Sequence, residues 1–245
     1  MNDYIDSLSR ELGAINSLDL FWDRILAELA NYGVTSISYA AIATHAEAAN
    51  GSKAKSMIIK SNHSQKYFDS FGLDQLVENC KAQDHKNGSV KPVIWYDRNI
   101  SGNTRSLQTG TAVVGDMGLH IGFTLPTTFF SLNHYGAIGV SMAKLAPSEF
   151  EENWSRQKDE IFQILRILNS RMRDQYIATI IGLSAREKEC LSLLALGQRP
   201  AQIANQLGIG VKAIDRYISN ARDKLKASTR DQAVANAVIF KVIQP

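Results

Sequence analysis

Apolar residues along this chain keep two different rhythms. From Leu8 to Asn31, Leu18, Leu20, Phe21, Ile25, Leu26 and Leu29 recur at the 3.6-residue period of a helix, and Gly33 supplies a stop. Val34 to Thr44 carries Ile37, Tyr39, Ala41 and Thr44 among small residues and predicts a strand. Ala46 to Lys53 is small and polar, a turn, and Ala54 to Lys60 predicts a second short strand. Gln65 to Gln83 predicts two short helices interrupted near Gly72, followed by a polar loop from Asp84 to Lys91. Pro92 to Tyr96 is a short extended piece, and Ser106 to Gly118 has no clear period. Leu119 to Thr127 and Gly136 to Ala143 form the clearest strand pair, joined by the loop Thr128 to Tyr135.

A capping box, Ser148 with Glu151, then opens a long helix running through Trp154, Ile161, Ile164, Leu165, Leu168 and Met172. A second capping box, Ser184 with Glu187, opens a helix carrying Leu191, Leu194 and Ala195, which Gly197 ends. Pro200 is placed for the first turn of the next helix, whose stripe is Ile203, Ala204 and Leu207, and Gly208 breaks it. Val211, Ile214, Ile218, Ala221 and Leu225 give a third apolar stripe. Its polar faces carry Lys212, Asp215, Arg216, Ser219, Asn220, Arg222, Lys224 and Lys226. Arg230 to Ile243 closes the bundle with Ala233, Val234, Ala237 and Val238. Helix, short glycine turn and basic helix is the layout of a helix-turn-helix, whose second helix enters the major groove.

These patterns predict an α+β chain in three parts. Residues 1–173 form an α/β/α sandwich around an antiparallel sheet, 174–182 a linker, and 183–245 an all-α four-helix helix-turn-helix domain.

Charge sharpens this division. The whole chain is +3, but Tyr176 to Pro245 holds ten basic and five acidic residues, leaving 17 basic and 19 acidic elsewhere. A basic excess confined to the helical C-terminal segment is what phosphate binding needs. Two cysteines, Cys80 and Cys190, in different domains suggest no disulfide framework and read as small buried apolar residues. The first residues, Met1 to Asp6, lack the basic and apolar regions of a signal peptide, and no run approaches the roughly 18 apolar residues of a membrane span. A cytoplasmic protein without membrane contact is expected.

At Glu187, Leu191, Gly197, Ile203-Ala204, Leu207, Val211, Lys224-Leu225 and Gln232-Ala233 the chain closely resembles the DNA-binding domain of LuxR-type regulators. Gly210, Ala213 and Tyr217 stand where that family usually has Ser, Thr and His. The resemblance implies a homodimer on duplex DNA with an inverted-repeat operator, with RNA polymerase as a further partner. Lys212 and Arg216 are candidates for base-edge contact, Arg222, Lys224 and Lys226 for phosphate, with Ser219 and Asn220 beside them. The long helix from Ser148 to Met172 is the expected N-terminal dimer contact, because Trp154 and the Ile161–Leu168 group exceed what one narrow stripe needs.

The N-terminal part resembles the domain with which members of this family sense acyl-homoserine lactones. Gly122-Phe123-Thr124-Leu125-Pro126 matches a Gly-x-x-x-Pro strand, Trp95 a pocket tryptophan, and Asp74-Gln75-Leu76-Val77 an Asp-Pro-Val-Val segment with Gln75 for Pro. Ser141 sits where a Ser or Thr faces the ligand. A gapped reading puts His63 and Tyr67 at a Tyr and a Trp position, with Phe71 next, while an ungapped one puts Ser61 at the Trp position. The resemblance thus implies a small-molecule autoinducer, with Asp74 accepting an N–H, Tyr67 and Ser141 donating to carbonyls, and Trp95, Phe71 and Tyr39 as walls. Each has a plainer reading: Trp95 as a core aromatic, Asp74 as a helix N-cap, Ser141 as an ordinary strand residue, His63 as a loop residue.

Two other classes fit less well. A phosphorylated response regulator needs an acidic pair after a first strand, and the first thirty residues read as helix. A lactone hydrolase needs a catalytic signature, and the five histidines have no metal-binding spacing and no Gly-x-Ser-x-Gly elbow occurs. No catalytic residue, metal or cofactor is therefore expected. A regulator that binds a different small molecule, or none, remains the open alternative.

Overall fold

A computed structural model of the chain describes residues 3–44, 55–63, 92–96, 121–128, 134–142 and 147–244. The two short helices and the loop expected between Gln65 and Lys91, the turn at 46–53 and the segment Ser106 to Gly118 lie outside the described residues. The chain divides into two compact units, the first built mainly from residues before Ser170 and the second mainly from Arg171 onward.

In the first unit, α1 (Asp3–Ala14) and α2 (Leu18–Ala30) replace the single helix expected from Leu8 to Asn31. Ser17 causes the break. Its backbone is extended, and its hydroxyl accepts from the Leu20 amide at 3.4 Å, so it caps a new helix instead of continuing the old one. Gly33, at φ +78°, turns the chain into the sheet.

Among the described residues five strands follow: β1 (Val34–Thr44), β2 (Lys55–Ser61), β3 (Val93–Tyr96), β4 (Ile121–Thr128) and β5 (His134–Met142). They lie in the order β2-β1-β5-β4-β3, with β3/β4 and β4/β5 antiparallel. The register pairs Phe123 with Val140, and places Trp95, Gly122 and Ser141 in one cross-strand row. Adjacent residues of a strand point to opposite faces, so the Phe123 and Ser141 rows have different surroundings.

The Phe123 face is covered by α3 (Pro147–Arg171). Phe123 meets Trp154 at 4.7 Å and Phe162 at 6.1 Å between ring centroids, and Trp154 stacks on Phe150 at 5.6 Å. Helix α3 begins at Pro147, one residue before the expected capping box. Its Ile161, Ile164, Leu165 and Leu168 are fully buried within this unit. The apolar surplus expected to mark a dimer contact is therefore taken up by the protein's own core.

Residues 174–182, expected as linker, are helical: a π-helical turn (Met172–Tyr176) runs into α4 (Ile177–Ile181), which Gly182 ends at φ +63°. The rest of the second unit is α5 (Ala185–Ala195), α6 (Pro200–Leu207), α7 (Val211–Lys224) and α8 (Arg230–Ile239). The capping box at Ser184 and Glu187 forms with both bonds present. Cys190, Ile203, Ala204, Ile214 and Ile218 make the core, with Leu194, Leu207 and Tyr217 packed against it. Burial also pushes the Cys190 thiol up, as suits an apolar packing role. Two expected members of the apolar stripes are exposed instead, Val211 at 43% and Val238 at 42%. Val211 opens its helix, where no preceding turn covers it. Helix α8 ends four residues short of Ile243, although Val242 and Ile243 remain buried.

Gly208 joins α6 to α7 in the left-handed region, at φ +66°, with open space where a Cβ would stand. Its replacement by Ala should therefore cost backbone strain alone, about 1 kcal/mol. Urea denaturation should show this for Gly208→Ala and a smaller loss for Gly208→Asn, which tolerates that region; equal stability of wild type and Gly208→Ala would refute the strain.

Candidate functional site

The polar face of α7 divides into two groups of cations. Lys212 and Arg216, with Asn220, lie at i, i+4 spacing along one exposed edge. Among the described residues neither Lys212 nor Arg216 has an ion-pair or hydrogen-bond partner. Ser219 and Arg222 are half-buried, and the Arg222 guanidinium reaches Asp223 at 3.5 Å. Lys226 is exposed just past the helix end, at φ +53°. Gly210 precedes the first turn without a side-chain cap, the consequence of Gly where Ser is usual.

Lys224 behaves differently from the expected phosphate contact. Its Nζ donates to the Glu187 carboxylate at 2.8 Å and to the Gly182 carbonyl at 3.0 Å. Glu187 is itself only 3% exposed and also accepts from the Ser184 amide at 2.8 Å. Burial pushes its carboxyl up, but the Lys224 ammonium and the Ser184 amide outweigh that and hold it below its ordinary value. Lys224 is thus tied inside the unit and fixes the pitch of α7 against α5. Sequence reasoning missed this pairing because the partners are 37 residues apart and each has an independent surface role available. It also missed Asn236, fully buried, whose Nδ2 donates to the Leu225 carbonyl at 3.1 Å and ties α8 to the end of α7.

In the first unit the structure brings together His63 and Ser141 of the expected ligand residues. His63 Nε2 lies 2.8 Å from Ser141 Oγ, and its Nδ1 lies 3.2 Å from Ser61 Oγ. Ser141 is fully buried in the row with Gly122 and Trp95. Ser61 and Asn62 hold His63 in place. The Ser61 hydroxyl donates to the Ile37 carbonyl at 3.2 Å and accepts from the His63 amide at 2.9 Å, while Asn62 Oδ1 accepts from the Ile37 amide at 2.8 Å. Sequence reasoning did not single out Asn62, although Ser-Asn-His at a strand end is turn chemistry. Tyr39 is not part of this group: it is fully buried and donates its hydroxyl to Asn169 of α3 at 3.2 Å. Tyr67, Phe71 and Asp74 lie outside the described residues, and of Trp95 only the backbone position is described. Among the described residues no cluster of His, Cys, Asp or Glu could hold a metal ion, and no helix is long and apolar enough to cross a membrane.

A four-helix unit that displays an unpaired basic edge on the second helix of a helix-turn-helix defines a DNA-binding module. Residues 182–237 match the family described as bacterial regulatory proteins, luxR family. The chain is 25% identical over 199 residues to the transcriptional activator protein LuxR of Aliivibrio fischeri, spanning 76% of this chain and 74% of that protein. Its fold is similar to CepR2 of Burkholderia cenocepacia, an N-acylhomoserine lactone dependent LuxR family transcription factor, with TM-score 0.51 and 12% identity over 71% of this chain and 96% of that one. Escherichia coli SdiA aligns over 99% of both chains at 16% identity, with TM-score 0.48. Residues 182–237 are thus similar throughout to a luxR-family regulatory domain, a DNA-binding module, and the chain as a whole is similar to transcription regulators that carry one.

Burial holds the His63 imidazole down at about 4, against an ordinary 6.5, although a hydrogen bond to the Ile37 carbonyl works the other way. The unfolded chain therefore takes up the proton first as pH falls, and stability present above about 6.5 is lost between there and about 4. From about pH 7.5 to about pH 5 the loss from this group should be about 2 kcal/mol. Denaturation of wild type and His63→Gln at both pH values measures it, with the wild type expected to lose that much more. Equal losses would show that His63 is not held neutral.

Proposed function

We propose that this regulator senses an acyl-homoserine lactone in its N-terminal unit and reads an inverted-repeat operator as a homodimer through α7. The observation that carries the sensing half is the polar pair of half-buried His63 and fully buried Ser141, with Ser141 in one sheet row with Gly122 and Trp95. A buried hydroxyl with a half-buried imidazole, beside a residue that has no side chain, suits a small ligand with a few polar atoms. The N-acylhomoserine lactone dependence of CepR2, whose fold is similar, supports the same reading. Asp74 is the proposed anchor for the ligand amide, with Trp95, Tyr67, Phe71, Ser141 and His63 around it. The protein would act in the cytoplasm, where such a ligand and the chromosome meet. Tyr67 or Ser61, where the lactone-sensing family has Trp, favours a different small molecule as the second reading.

For the DNA half, Arg216 and Lys212 are the proposed base-edge contacts, with Ser219, Asn220, Arg222 and Lys226 along the groove. Operator titration should show Arg216→Ala weakened by about 1–3 kcal/mol, while Lys226→Ala weakens all sequences alike and reduces the salt slope by about one. Two chains per operator are expected. Binding within threefold of wild type would remove Arg216 from the interface, and a one-to-one complex would remove the dimer.

For the sensing half, ligand that binds only the folded state raises the melting temperature with concentration. A panel of acyl-homoserine lactones should shift the wild type. Asp74→Asn, which exchanges a carboxylate for a half-donor amide, should bind about 1.5–3 kcal/mol more weakly. Wild type unmoved by every lactone would refute lactone sensing, and equal shifts in both proteins would refute the role of Asp74.

A further inference from the structure

The hydrogen-bond directions around His63 fix what Ser141 can offer a ligand. The Ser61 hydroxyl has one proton, and a carbonyl such as Ile37 can only accept it. Facing His63 Nδ1 at 3.2 Å, Ser61 Oγ is then left with lone pairs, so the ring carries its proton on Nδ1. The ring's hydrogen bond to the Ile37 carbonyl requires a ring N–H as well. Burial keeps the imidazole neutral at ordinary pH, which leaves Nε2 bare. A bare Nε2 at 2.8 Å from Ser141 Oγ accepts the serine proton. The chain of donors runs in one direction: Ser141 to His63, His63 to Ser61, Ser61 to Ile37.

We infer that Ser141, with its proton committed to His63, is an acceptor toward the ligand, so the pocket selects an acyl ligand bearing a hydroxyl over one bearing a ketone at that position. This deepens the small-molecule role proposed above and rests on it. It reverses the polarity expected from the resemblance, in which Ser141 donates to a carbonyl. The cause is His63 beside it, in place of a group that could give a proton to the serine. Ser141 is fully buried, so water is excluded from its lone pairs, and a ketone placed there would set acceptor against acceptor.

The test compares acyl-homoserine lactones of one chain length that carry a hydroxyl, a keto group or neither at the same acyl carbon, with that carbon varied along the chain. The hydroxylated lactone should bind the full-length protein at least about tenfold more tightly than the keto form, the ordinary cost of one mismatched buried polar group. In His63→Phe the serine proton is released, and the order should reverse. Nitrogen NMR of the wild-type imidazole, which does not depend on any variant folding, should show Nδ1 protonated and Nε2 bare. A proton on Nε2, or keto binding as tight as hydroxyl in the wild type, overturns the inference while leaving lactone sensing in place. Binding of no lactone at all would remove the lactone reading and, with it, this assignment of the ligand group.

Discussion

Glu187 sits at the start of α5 with its carboxylate almost entirely removed from solvent, and the geometry of the C-terminal unit converges on it. A lone buried carboxylate would cost several kcal/mol, so its two contacts, to the Ser184 amide and the Lys224 ammonium, are a requirement of the fold. The Ser184 amide closes the cap of α5, Lys224 Nζ reaches it from the last turn of α7, and the same ammonium binds the carbonyl at the end of α4. One residue after Lys224, the Leu225 carbonyl accepts from Asn236 and brings in α8. Four helix ends are thereby fixed around one short stretch of chain. With its C-terminal end held this firmly, α7 presents Lys212, Arg216 and Asn220 at a constant pitch.

In the first unit the governing constraint is the two-residue period of the sheet. Phe123 and Val140 pair on β4 and β5, and Phe123 is covered by the aromatic cluster of Phe150, Trp154 and Phe162. Gly122 and Ser141, one residue along each strand, belong to the alternate row. The apolar face supplies the stability that allows the other row to carry a glycine and a buried hydroxyl, neither of which contributes much to packing. Tyr39 illustrates the separation. It is aromatic and buried like a pocket wall, yet its hydroxyl belongs to α3 through Asn169.

Much of this was legible in the sequence because the signals are local. The capping box of α5, the Gly208 break and the apolar stripe of α7 each involve residues within a turn or two of one another. All five strands fall within a few residues of their expected places, since alternation and flanking turn residues mark them. The misses have equally physical causes. The period of α2 continued back toward Leu8 and hid a cap at Ser17, because one serine weighs little against a long apolar pattern. Val211 fits its stripe but opens its helix. The α3 surplus looked like an interface only because the aromatic cluster and the depth of the core around it are long-range facts.

Polar roles were the least legible, and the reason is common to both sites. A sequence gives an inventory of donors and acceptors, whereas function depends on which of them are already committed. Lys224 and Arg216 are equivalent as charges on a helix face, but one is bound to Glu187 and Gly182 and the other has no partner among the described residues. Ser141 is a donor by chemistry and an acceptor by context, since a bare imidazole nitrogen stands 2.8 Å away. The commitment is itself set by residues with no expected role, Ser61 and the carbonyl of Ile37, which decide where the histidine keeps its proton. Under the proposed roles, specificity is set by the residues that hold those touching DNA or ligand. Changing Ser61 or Glu187 would alter what those residues can do without altering what they are.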